Sequence, residues 1–166
     1  MRRCSAYLEF GSGGSTLLAD ELGVRTLTIE SDRFYARTVA AALTGDTVSI
    51  TPVDIGITAE WGWPLLKKPT PARIARWQRY VSSGFERISP DLVLVDGRFR
   101  VACALETARR TNGALVIVDD YAGRPSYRTL ERHLGSPERV GRAALFRTSG
   151  KDIPPEALAE AIRDPS

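Results

Sequence analysis

The chain has 166 residues, of which 43% are hydrophobic and 26% charged, and a net charge of +3. That is enough chain to bury one core without staples, and the composition excludes disordered, collagen-like and disulfide-framed proteins. No apolar run is long enough to span a membrane, and the basic residues, nearly all arginine, are scattered rather than gathered into a nucleic-acid footprint.

Cys4 and Cys103, both in apolar contexts without metal-ligand spacing, predict buried thiols in a reducing compartment, the cytoplasm. The opening MRRCSAYLEF has neither the long apolar stretch nor the cleavage site of a secretory leader.

In chain order, the first strand candidate is Ala6–Phe10, which leads through a glycine-rich turn into a helix over Ser15–Leu22. A second strand, Thr26–Glu30, precedes a helix over Asp32–Leu43, with Asp32 in the N-cap position and Gly45 near its stop. The third strand is Val48–Val53. The stretch DIGITAEWGWPLLKKPTPARIARW, Asp54–Trp77, is then long for a loop and holds all three tryptophans and a Lys-Lys pair. Residues 55–77 read as an inserted loop or lid, or as a surface excursion whose Trp rings fill a satellite cluster.

Further on come a helix over Ile74–Phe85, a strand Leu92–Asp96, a helix Arg100–Arg110 stopping at Gly113, and a strand Leu115–Val118. A helix over Ser126–Leu134, one or two strands around Val140–Arg147, and a short helix opened by Pro154–Pro155 complete the chain. Short apolar strands separated by helices predict a parallel sheet buried on both faces, in a single doubly wound α/β domain over 1–166.

In such a sheet, ligands bind beyond the carboxyl ends of the strands. Here every strand end carries an acid: Glu9, Glu30, Asp54, Asp96 and the pair Asp119–Asp120. Any one of these is ordinarily a helix cap or a solvated turn. Together they repel one another and raise one another's pKa, which predicts a cationic or hydroxyl-rich ligand. The turn Gly11–Gly14 then serves as close-approach backbone rather than as a pyrophosphate cradle. An NAD fingerprint would need glycine where Thr16 stands, and the turn has neither the lysine nor the spacing of a P-loop.

LEFGSGGST resembles motif I of the class I S-adenosylmethionine-dependent methyltransferases, an acid followed by glycines at alternate positions. Glu9, Gly11 and Gly13 match, and Ser15 stands at the third alternate position. The resemblance, over Ser5 to Tyr121, implies a Rossmann-like, mostly parallel sheet of order 3-2-1-4-5-7-6. It also implies S-adenosylmethionine as cofactor, which carries a sulfonium and an ammonium but no phosphate. Glu9 and the turn residues Gly11, Ser12, Gly13, Gly14 and Ser15 would contact it. Glu30, with Ser31 beside it, would bond the ribose hydroxyls. Asp54 would approach the adenine amino group, Ile55 would pack on the ring, and Asp96 matches the fourth motif. The whole chain is also similar to bacterial methyltransferase-like proteins without an assigned substrate, through DIG…EWG.P and PDLVLVDGRFRVACAL. Family members usually carry a helical segment before the first strand. Here that strand begins almost at Met1, which predicts a trimmed chain or a more open pocket.

The reaction expected is O-methyl transfer to a small molecule, with Asp96, Asp119, Asp120 and Tyr121 as catalytic candidates. VDG and VDDYA also resemble the metal-dependent O-methyltransferases, which implies Mg²⁺ on Asp96, Asp119 and Asp120. Alternatively, Asp119 or Asp120 caps the following turn and Asp96 faces the cofactor. His133, at a helix end, reads as structural. The arginines of RFR, Arg98 and Arg100, either grip an anionic substrate or pair with the acids. DGRF replaces the Asn/Asp-Pro-Pro-Tyr motif of enzymes that methylate nucleic-acid amino groups, which argues against nucleic acid as a partner, and the lack of a spanning segment argues against a membrane. The alternatives are a non-catalytic methyltransferase-like interaction module and, as a minor one, an NAD-dependent dehydrogenase.

Overall fold

The computed structural model describes residue 1 and residues 4–166. Its elements run β1 (Tyr7–Phe10), α1 (Gly14–Glu21), β2 (Thr26–Glu30), α2 (Arg33–Ala40), β3 (Val48–Pro52), α3 (Pro71–Ser82) and β4 (Leu92–Val95). They continue as α4 (Arg100–Arg110), β5 (Asn112–Val118), α5 (Thr129–Leu134), β6 (Glu138–Val140), β7 (Ala143–Ser149) and α6 (Pro155–Ala161). The sheet has seven strands in the order β3-β2-β1-β4-β5-β7-β6, the expected Rossmann-like arrangement. β1 to β5 pair in parallel, and β7 is antiparallel to both β5 and β6.

Local chemistry sets the helix starts. The Asp32 carboxylate accepts the N–H groups of Phe34 and Tyr35 at 2.8 and 3.0 Å and caps α2. Thr70 caps α3, and Pro71, with no N–H to leave unpaired, takes its first position, so the helix begins ahead of the expected Ile74. Two other expectations are corrected, on Gly113 and Cys4, and the open choice over Val140–Arg147 is decided. Gly113 does not stop α4; it lies within β5 at a register irregularity, with φ of +84°. The segment Val140–Arg147 is two strands, turned back on themselves at Gly141 and Arg142. Cys4 is only half-buried, while Cys103 is buried on α4.

Strand alternation divides the core. From β1, Leu8 and Phe10 join Trp77 and Tyr80 of α3 and the α4 residues Ala102 and Cys103. Tyr7 points the other way and packs with Ala19 of α1, Val24 and Leu92. Glu9 therefore shares the α1 face with Tyr7. Trp77, read from the sequence as part of a lid, is wholly buried on α3, and its Nε1 donates to the Ile55 carbonyl at 3.1 Å. Truncating it to alanine would cost about 3–5 kcal/mol. The lid is correspondingly shorter than 55–77, since residues 71–77 belong to α3. No helix among the described residues is long and apolar enough to cross a membrane.

Candidate functional site

The chain leaves β1 and β4, adjacent in the sheet, toward opposite sides, and a crevice opens at their carboxyl ends. There lies a cavity of about 670 Å³, walled by the Gly11–Gly14 turn and the end of β2 on one side and by the ends of β4 and β5 on the other. Trp61 and Trp63, from the loop between β3 and α3, form its rim.

Two glycines bring the turns after β1 and β4 together. Gly11 has φ of +96°, and a methyl group on it would come 2.7 Å from Gly97 Cα. Nothing lies within 4 Å of where a side chain at Gly14 would begin, so the turn exposes its backbone.

The two carboxylates of this wall have different environments. Glu30 lines the cavity. Its Oε2 accepts the Ser12 N–H and hydroxyl at 2.7 and 2.8 Å, and its Oε1 accepts the Ser31 hydroxyl and the Asp32 N–H at 3.2 and 2.9 Å. Glu9 is fully buried beneath α1 and does not line the cavity. It accepts hydroxyl hydrogens from Tyr7 and Thr28 at 3.0 Å, from Thr16 at 2.5 Å and from Ser15. Burial pushes its carboxyl above the ordinary range, and those four bonds pull the other way. Glu9 braces the start of α1 to β1 and β2. Glu9 therefore does not face the cavity, and the Ser15 hydroxyl turns toward Glu9.

The opposite wall meets its acids with guanidinium groups. Asp96, Asp119 and Asp120 can bring one oxygen each within 4.8 Å of one another. Arg100, with its side chain 4% exposed, reaches Asp96 and Asp120 at 3.1 Å. It also donates to the carbonyls of Gly97, Asp119 and Asp96 at 2.9–3.0 Å. Arg142, in the β6–β7 turn, grips Asp119 through two bonds of 2.8 and 2.5 Å. Partial desolvation at the cavity edge, where its side chain stays 44% exposed, pushes Asp96 up to about 6, with Arg100 opposing and Asp119 and Asp120 repelling. Burial would raise Asp119 as well, but Arg142 and the Asp120 N–H hold it below its ordinary value. Two neighbouring carboxyls thus have pKa values pushed apart.

This donor set does not fit a hard divalent ion: Arg100 and Arg142 occupy the carboxylate oxygens that the ion would need, and like charge excludes it. Among the described residues, three other than glycine adopt the left-handed region: Trp61, Phe99 and Asp120. Trp61 and Asp120 line the cavity, and Phe99 sits between its wall residues Arg98 and Arg100. Backbone strain of about 1–3 kcal/mol per residue is held where the ligand space is.

Of the residues expected at the site, the structure brings Gly11, Ser12, Gly13, Gly14, Glu30, Ser31, Asp96, Asp119 and Asp120 around one cavity. It leaves out Asp54, which accepts the Gly56 N–H and pairs with Arg76 at 3.5 Å, and Ile55, which is core. Tyr121 is also outside, buried with its hydroxyl donating to Glu131 at 2.8 Å. Sequence reading missed Tyr35, Arg124 and Arg142. Arg142 gave no local signal, because it arrives through the pairing of β7 with β5.

A sheet of this order, with its crevice between the first and fourth strands, defines a Rossmann-like methyltransferase fold. The chain belongs to the methyltransferase-like proteins: it is 37% identical to a methyltransferase-like protein from Silicibacter pomeroyi DSS-3, whose crystal structure superposes with a TM-score of 0.85. The match covers 99% of this chain and 90% of that one. No protein-family model matches the chain, and no curated protein does.

Proposed function

We propose that the protein is an S-adenosylmethionine-dependent methyltransferase that methylates a hydroxyl of a small molecule. The observation that carries this reading is the bond from the Ser12 N–H to Glu30. In a pyrophosphate-binding turn the backbone N–H groups face the phosphate, whereas this turn has committed one of them to a carboxylate. That carboxylate faces a cavity already rich in acids. A nucleoside cofactor without phosphate suits such a wall, and a dinucleotide does not.

Glu30 and the Gly11–Gly14 backbone would hold the cofactor. Two of the four donors on Glu30 are serine hydroxyls, which rotate away at small cost, so a ribose diol can replace them. When bound, S-adenosylmethionine supplies an electrophilic methyl group. Asp96 accepts the proton of the attacking hydroxyl, and its carboxyl near 6 suits that task. Arg100 fixes the Asp96 rotamer, and Arg142 keeps Asp119 ionised beside it.

A thermal-shift comparison of S-adenosylhomocysteine with NAD tests the assignment. At a hundred times its Kd, the adenosyl ligand should add about 2.7 kcal/mol, or roughly 5–10 °C for a chain of this length. A shift with NAD alone would overturn it.

A further inference from the structure

Arg98 differs from the other guanidinium groups of the cavity. Arg100 and Arg142 lie 3.1 and 2.5 Å from aspartate oxygens, and Arg124 lies 3.8 Å from one. Arg98 forms no ion pair among the described residues, although it is only 5% exposed and lines the same cavity. Its Nε and NH1 have no hydrogen-bond partner among the described residues, while the Tyr80 hydroxyl lies by the Arg98 backbone N–H and the Tyr127 hydroxyl by Ser166. The guanidinium lies over the Trp63 ring, 4.5 Å from its centre, which offers a cation–π contact but no counter-charge. Burial lowers the Arg98 pKa, and the charges of Arg100 and Arg124 lower it further. A guanidinium does not give up its proton, so the cost of burying it unpaired remains until an anion arrives.

The backbone holds this cation in place. Gly97 before it cannot carry a side chain, because a methyl group there would press on Tyr80 and the Gly11 backbone. Phe99 after it is held in the left-handed region. The arrangement keeps Arg98 at the wall two residues from Asp96, the proton-accepting group.

We propose that Arg98, with Arg124 beside it, receives an acid group of the methyl acceptor, so that the substrate is a small hydroxylated carboxylate or phosphate ester. The identity of the acceptor rests on the methyltransferase reading; the anion site does not. A guanidinium meets either oxyanion through charge-assisted N–H bonds. A second source of the same chemistry is the cofactor's own carboxylate, and the experiment separates the two.

Salicylate and inorganic phosphate serve as probes, titrated by calorimetry into wild type, Arg98→Met and Arg98→Lys, with and without saturating S-adenosylhomocysteine. With S-adenosylhomocysteine bound, wild type should bind at least one probe. Arg98→Met should weaken that binding by about tenfold or more and Arg98→Lys by less, while S-adenosylhomocysteine affinity changes by less than about twofold. Without ligand, Arg98→Met should melt about 2–4 °C higher than wild type, since it removes an unpaired buried charge. A lower melting temperature would assign Arg98 to packing and overturn the proposal. Probe binding that is absent, or equal in all three proteins, would also overturn it. Displacement of the probe by S-adenosylhomocysteine, with loss of that ligand in Arg98→Met, would place the cofactor's carboxylate there instead. If S-adenosylhomocysteine fails to bind wild type while Arg98-dependent probe binding persists, the anion site stands and the methyltransferase reading fails.

Discussion

The two walls of the cavity hold their carboxylates in opposite ways. On the β1–β2 wall, Glu30, and Glu9 buried beneath it, are bonded by hydroxyl and backbone donors alone, with no ion pair to either among the described residues. On the β4–β5 wall, Asp96, Asp119 and Asp120 are met by Arg100, Arg142 and Arg124, so charge is balanced by charge. Neutral donors fix geometry and leave a carboxylate able to accept a ligand's hydroxyls. Fixed cations hold an acid cluster together and spread its pKa values. The first wall suits binding and the second suits proton transfer.

The sharpest way to break the contrast is to remove the cation of the second wall. Arg100→Met leaves Asp96 and Asp120 without their inner partner, and it should cost about 3 kcal/mol, the low end for a broken buried pair because both acids reach solvent. A thermal melt should then fall by roughly 6–12 °C; a loss under about 1 kcal/mol would mean that the acids do not depend on that cation.

Next in size is the first wall's ligand-facing acid. Glu30→Ala should weaken S-adenosylhomocysteine binding by about 1.5–3 kcal/mol, a Kd change of roughly 10- to 150-fold by calorimetry. Unchanged affinity would remove Glu30 from the site.

Glu9→Gln makes the complementary test. It should cost about 1 kcal/mol of stability in a urea titration, through lost hydroxyl bonds, and leave S-adenosylhomocysteine affinity within about twofold. A larger effect on binding than on stability would return Glu9 to the cofactor site.

The pH dependence separates the walls further. Because the folded pKa of Asp96 is raised to about 6 from an ordinary 3.8, its contribution to stability is present below the ordinary value and lost as pH rises through about 6. The rate of methyl transfer should rise across the same interval, as the carboxylate that accepts the proton forms. Asp96→Asn should flatten both profiles, and a stability profile that keeps its slope in that variant would move the titration to another group.

The smallest effect expected is none at all. Mg²⁺ titrated into wild type should give no saturable heat, because guanidinium groups hold the three acids; saturable binding would show that Arg100 or Arg142 gives way to the ion.

Much of the frame was legible in the residues. The strand Thr26–Glu30 and the helix Arg100–Arg110 coincide with their expected bounds, because β-branched runs and an amphipathic pattern are local signals. The acids near the strand ends were legible for the same reason, although only Glu30 is a last strand residue: Glu9 lies one residue inside β1, and Asp54, Asp96 and Asp119 follow β3, β4 and β5. Which way each acid turns was not. Glu9 and Glu30 both lie in fully buried strands, yet one faces α1 and the other the cavity. Asp54 looked equivalent to both until its own loop, through Gly56 and Arg76, drew it away.

The sequence by itself determined the alternation of strands and helices, the glycine turn and the supply of acids and arginines at one sheet edge, since these follow from periodicity and topology. Only the tertiary structure decided which arginine answers which acid. Arg142 reaches Asp119 across 23 residues of chain through antiparallel pairing, and Arg98, two residues from Arg100, is left buried without an ion-pair partner among the described residues. Ion pairing depends on distance in space and on desolvation, and neither is encoded in a residue's neighbours along the chain.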